Sequence, residues 1–132
     1  MGAAERAKGI RAELAVVHAL RDAGWQAVTT RAQNGTQGGA DIFTDAPLAV
    51  EVKDHGKMDL AGWLRQAEGN ATEGKVPVVW HKRRGRANPN DWYVTMTGSA
   101  LLALTARVAE TKGNDDERTN LVRPGDGEGR DE

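Results

Sequence analysis

The stretch GGADIFTDAPLAVEVKD, residues 38–54, sets Asp41, Glu51 and Lys53 among residues otherwise suited to a pair of short strands. Residues two apart on a strand share a face, so Glu51 and Lys53 point one way while Val50 and Val52 point the other, into a core. If strands over about 40–44 and 48–53 pair across the turn Asp45-Ala46-Pro47, Asp41 comes close to Glu51. Two carboxylates and an ammonium then meet at one spot. Neighbouring carboxylates repel, and a divalent cation between them removes the conflict. Mg²⁺ takes oxygen ligands and is typically held by one or two carboxylates plus substrate phosphate; Mn²⁺ suits the same ligands. A lysine beside such an ion can orient or help deprotonate an attacking water, or balance charge growing on a phosphate. Alternating charge and valine also describes any half-exposed strand, so the surrounding elements decide how much the pattern means.

Those elements read in a clear order. Ile10, Leu14, Val17 and Leu20 recur at helical spacing, which predicts a helix over 3–23 stopped by Gly24. WQAVTTR (25–31) predicts a strand, followed by the polar, glycine-rich loop AQNGTQGG. After the two short strands, MDLAGWLRQAEGNATEG (58–74) has an Asp59 cap and apolar Leu60, Trp63, Leu64 and Ala67, and predicts a second helix. VPVVWHK (76–82) begins as a nearly continuous apolar run, the mark of a strand covered on both faces. DWYVTM (91–96) predicts a fifth strand, and TGSALLALTARVAE (97–110) a third helix capped by Thr97 or Ser99. A helix between strands three and four implies a crossover. The expected fold is α/β: one domain over 1–112, with a mixed central sheet of about five strands flanked by helices. Residues 113–132, almost without apolar side chains, are expected to form an acidic, disordered tail.

Composition narrows the setting. At 132 residues there is room for one main core. The absence of cysteine excludes disulfides, cysteine zinc sites and thiol nucleophiles. No run approaches the roughly 18 apolar residues of a membrane span, and the charged N-terminus has no signal-peptide apolar block, so no membrane and a cytoplasmic setting are expected. The net charge of −1 conceals an asymmetry: residues 1–112 hold 15 Lys and Arg against 12 Asp and Glu, whereas 113–132 hold 3 against 7. A mildly basic body is thus masked by an acidic end.

Asp41 with Glu51-Val52-Lys53 resembles the PD-(D/E)xK motif of nucleases with restriction-endonuclease-like folds, and the order helix, strand, Asp-bearing strand, ExK strand, helix is similar across roughly residues 5–82. One departure is Ala40, where the motif has proline. Glu13, at the edge of the first helix's apolar face, matches the family's helical acid. The resemblance implies that Glu13, Asp41 and Glu51 hold the metal, that Lys53 acts on the water or the transition state, and that Gln66 of the second helix faces the site. KGIRAE, residues 8–13, is similar to the start of archaeal-type Holliday-junction resolvases, a branch with phage members. That likeness implies a Mg²⁺-dependent endonuclease acting on four-way DNA junctions as a homodimer, in the host cytoplasm if phage-encoded. A two-fold dimer matches two cleavages to a junction of approximate two-fold symmetry. A flap, nick or duplex nuclease, or a non-catalytic DNA-binding module of the same fold, is the alternative.

WHKRRGRANPNDWY, residues 80–93, interleaves basic residues with aromatics. Lys82, Arg83, Arg84 and Arg86 on this loop are candidate phosphate contacts, together with Lys8, Arg11 and Arg31. Asn34 and Thr36, in the glycine-rich loop, are candidates for approach to the DNA backbone. A solvated basic loop is the plainer reading of 82–86. His18, His55 and His81 have no spacing that forms a metal triad, and of these His55 alone is near the proposed site.

Overall fold

The structure is a computed structural model that describes residues 2–30 and 40–122, and of residues 114–122 the backbone alone. The described elements are helix α1 (Ala3–Asp22), strands β1 (Ala27–Thr29), β2 (Ile42–Thr44) and β3 (Leu48–Lys53), helix α2 (Leu60–Asn70), strand β4 (Val76–His81), a short 3₁₀ turn (Pro89–Asp91), strand β5 (Tyr93–Thr95) and helix α3 (Gly98–Val122).

Helix α1 is fixed at both ends by local bonds. Glu5 accepts from the Gly2 amide at its start. At its end the Trp25 amide reaches Leu20 O and the Gly24 amide reaches Arg21 O. These are the two bonds of a Schellman stop, and Gly24 takes the required left-handed conformation at φ 103°. Arg21 Nε then donates to Ala27 O at 2.8 Å, tying the helix end to the first strand. Helix α2 opens on Asp59, whose carboxylate accepts from the Gly62 amide, and α3 on Thr97, whose hydroxyl accepts from the Ala100 amide.

The five strands form two small sheets, which corrects the expectation of one central sheet. β1 and β2 pair antiparallel; β3 and β4 pair parallel, and β5 adds to β4 antiparallel. The break lies between β2 and β3, where side chains occupy groups that a continuous ladder would use. The Val52 amide donates to the Asp41 carboxylate at 2.8 Å, and Lys75 Nζ donates to the carbonyls of Thr44 and Ala46. Asp41 itself spans the break, its amide donating to Val50 O and its carbonyl accepting from the Thr30 amide.

Pro77 sits inside β4 at no cost to its pairing. The amides of Val76 and Lys82 donate to Pro47 O and Lys53 O, so even-numbered residues serve β3. The position of Pro77 faces the opposite edge, where β5 covers only Val79–His81.

The three-stranded sheet has helices on both faces. Ala12, Val16, Val17 and Leu20 of α1, with Ala100 of α3, pack on Val50, Val52, Val76 and Val78. On the reverse face Trp63 and Ala67 of α2 pack on Val79. The predicted split of β3, valines one way and Glu51 with Lys53 the other, is therefore the split between these two layers. Helix α3 continues to Val122, so the backbone of residues 113–122 of the expected tail is helical, and residues 123–132 lie outside the described residues. A helical backbone does not need apolar residues, whose absence suggested the tail.

Candidate active site

Each residue of the site is placed by an element already described. β3 turns Glu51 away from the valine core and leaves it 2 % exposed. The bonds of Asp41 across the break hold its carboxylate at the start of β2, beside β3. The spacing of α2 brings Gln66 and Asn70, four residues apart and so on one side of the helix, over the same strand. Lys53 Nζ donates to Gln66 Oε1 at 2.9 Å and lies 3.5 Å from Glu51 Oε2, while Asn70 Nδ2 is 3.5 Å from Glu51 Oε1. Glu13 enters from α1 and is itself only 4 % exposed. Glu13, Asp41, Glu51, Lys53 and Gln66 all line one open cleft of about 440 Å³, with Lys8 on its rim.

The electrostatics of this cleft centre on Glu51. Burial first, and the Asp41 carboxylate second, push its pKa up to about 7, against the opposing pull of Lys53 and Asn70. Lys53 and Asn70 thus offset only part of the cost of burying a carboxylate beside another carboxylate.

A divalent cation suits this chemistry. Asp41 and Glu51 offer hard oxygen donors, and a positive ion would favour the ionised form of Glu51 that burial disfavours. Among the described residues, no group of three or more His, Cys, Asp or Glu side chains is arranged to hold a metal ion. Glu13, expected as a third ligand, lines the same cleft but does not form such a group with Asp41 and Glu51, which are the carboxylates that could hold an ion.

The basic candidates divide. Lys8 is half-buried at the cleft rim and Arg11 is exposed on α1. Lys82 Nζ stands 4.0 Å from Asp54 Oδ2. Arg83 donates to Asp91 O and stacks 4.7 Å from the Tyr93 ring, which makes it part of the scaffold. Arg84 and Arg86 are exposed. Arg31, Asn34 and Thr36 lie outside the described residues. Among the histidines, His18 is exposed on α1, and His81 is buried with Nε2 2.8 Å from Thr95 Oγ1, its pKa lowered by burial. His55 lines the cleft and stacks near Trp63, 5.5 Å between centroids.

Sequence reasoning gave no role to Asp54, which lines the cleft one residue after Lys53. It also gave no role to Asn70, although the interval of four from Gln66 puts the two amides on one side of α2. No helix among the described residues is long and apolar enough to cross a membrane. Comparison with protein-family models, curated proteins and solved structures finds no match to this chain.

Proposed function

We propose that this chain is a Mg²⁺-dependent, structure-specific DNA endonuclease of the PD-(D/E)xK type, hydrolysing phosphodiester bonds at four-way junctions as a homodimer. The observation that carries the reading is the buried Glu51, set with Asp41 and Lys53 in a cleft open to solvent. A buried carboxylate beside a second carboxylate costs stability, and such arrangements cluster at functional sites. The order α1, β1, β2, β3, α2, β4, with an acid on α1 and Asp41 preceding the ExK strand, supports a restriction-endonuclease-like fold in spite of the divided sheet.

In this reading Asp41 and Glu51 hold the ion. Bound Mg²⁺ supplies Lewis acidity toward a phosphoryl oxygen and lowers the pKa of a water. The protein's own groups do the rest. Lys53 presents an ammonium where charge develops on the phosphate or where the water must be oriented. Gln66 accepts from Lys53 and keeps that ammonium over the cleft, and Asn70 points its amide donor at Glu51 from 3.5 Å. Asp41 is oriented by the Val52 amide, so both carboxylates are positioned before substrate arrives. The homodimer is supported by exposed apolar residues on α3, Leu101, Leu102 and Val108.

The test is incubation of wild type and Lys53→Ala with labelled four-way junction and matched linear duplex, in Mg²⁺ or EDTA. Symmetric junction cleavage that requires both Mg²⁺ and Lys53 is expected, with duplex left intact. Equal cutting of both substrates would keep the nuclease and discard the junction specificity. Binding without cleavage in any divalent metal would replace the enzyme by a non-catalytic DNA-binding module.

A further inference from the structure

The cleft does not end at Lys53. A second hollow of about 260 Å³ continues from it, sharing Lys8, Asp54, His55 and Gly56 and adding Lys82, Arg84 and Gly85. The cations of residues 82–86 are alike in sequence but not in placement. Arg83 is committed to Asp91 O and the Tyr93 ring. Arg86 lines neither hollow, and its carbonyl accepts from Trp92 Nε1 at 2.8 Å. Between them the Arg86 amide donates to Arg83 O, closing a tight turn in which Gly85 takes φ 80°. An L side chain rarely adopts that conformation, so glycine is what lets the chain reverse here with Arg84 at the tip. Lys82 is held from two sides, 4.0 Å from Asp54 and 5.9 Å from the centroid of Trp92.

Among the described residues, three cations and the His55 imidazole line this concave hollow against one carboxylate, which suits a phosphate and not a cation. We infer that Lys8, Lys82 and Arg84 bind a second phosphodiester of the strand whose scissile phosphate lies in the cleft, giving the strand one direction through the site. The identity of that ligand rests on the nuclease reading; the existence of the phosphate site does not. Lys82 and Arg84 would act through binding, and Arg86 would not take part.

The experiment has two arms on the full chain. In the first, inorganic pyrophosphate is titrated while the Gly56 and Gly85 amides are followed by NMR, for wild type and for the double variant Lys82→Ala/Arg84→Ala. In the second, binding of labelled four-way junction in EDTA is measured across a salt series for wild type, the double variant and Arg86→Ala, with melting temperatures as a control on folding. Shifts at both glycines that vanish in the double variant are expected, with a loss of about 10- to 100-fold in affinity and a salt slope shallower by about two. Arg86→Ala should change affinity by less than about threefold. Unmoved glycines, or an Arg86→Ala effect equal to that of the double variant, would overturn the inference. Pyrophosphate shifts without any junction binding would sink the junction-nuclease reading and leave the phosphate site. Junction cleavage with unmoved glycines and an unaffected double variant would do the reverse.

Discussion

The two faces of β3 are built from adjacent residues and meet opposite physical demands. Val50 and Val52 enter a dry layer under α1 and α3, where every apolar atom removed from water adds to stability. Glu51 and Lys53 enter the layer under α2, where an acid is buried beside another acid and pushed up to about 7. One face holds the strand in place, and the other uses that rigidity to keep a costly charge arrangement where a ligand can reach it. The lesson is that a six-residue strand can separate stability from chemistry by parity alone.

That separation can be broken residue by residue. Lys53→Ala should lower Mg²⁺-dependent cleavage by roughly 10²- to 10³-fold, as for loss of one group that stabilises transition-state charge. Its melting temperature should stay close to that of wild type, and a large drop would show that Lys53 belongs to the scaffold. Val50→Ala, one residue before Glu51, should do the opposite. It should cost about 2 kcal/mol in denaturant unfolding, through lost burial and the cavity left behind, while the folded protein keeps its turnover.

Glu51→Gln sharpens the contrast through pH. Glu51 ionises near pH 7 in the folded protein but near 4.5 when unfolded, so between these values the folded state retains a proton that the unfolded state has released. The stability it contributes is present below about 4.5 and is lost as pH rises through about 7. Glu51→Gln has no such loss, and above pH 7 it should be more stable than wild type by on the order of 1–2 kcal/mol, with cleavage abolished. Parallel pH–stability curves for the two proteins would refute this account of Glu51. Millimolar Mg²⁺ should narrow the gap at pH 8 by stabilising wild type alone, because only its ionised site gains a ligand. The smallest effect is expected from Gln66→Leu, which removes the amide acceptor of Lys53 and leaves it the Glu51 carboxylate. Cleavage should fall about tenfold or less with stability within about 0.5 kcal/mol, and a loss as deep as that of Lys53→Ala would promote Gln66 from positioning the ammonium to contacting substrate.

Much of this was legible in the sequence where a local rule sufficed. Parity separated Val50 from Glu51, helical spacing located α1, and Gly24 marked the stop; the face of α1 was only half right, since Ile10 and Leu14 are exposed whereas Ala12, Val16 and Glu13 are buried with Val17 and Leu20. What escaped depends on how separate segments meet. Nothing in the types of residues 40–53 says that Asp41 will take the Val52 amide and Lys75 the carbonyls of Thr44 and Ala46, yet those bonds divide the sheet. Arg83 and Arg84 are the same residue in the same run. Only the carbonyl of Asp91 and the turn at Gly85 distinguish a scaffold arginine from one lining a groove. Lys53 and Gln66 could be assigned to one site, but their 2.9 Å bond needed the packing of α2 on the sheet.

Asp41 is both a member of the site and the seam between the sheets, and this has a practical side. Replacing it with alanine would remove the acceptor of the Val52 amide along with the negative charge, so a dead Ala variant could be dead for two reasons. Asparagine keeps an acceptor oxygen and discards the charge, which makes Asp41→Asn the cleaner genetic knockout. The same reasoning sets an evolutionary ratchet. If the proposed activity is right, a descendant that abandoned it could shed Lys53 at little cost, but at position 41 it would remain under pressure to retain an oxygen for the Val52 amide, so an amide there would mark the change.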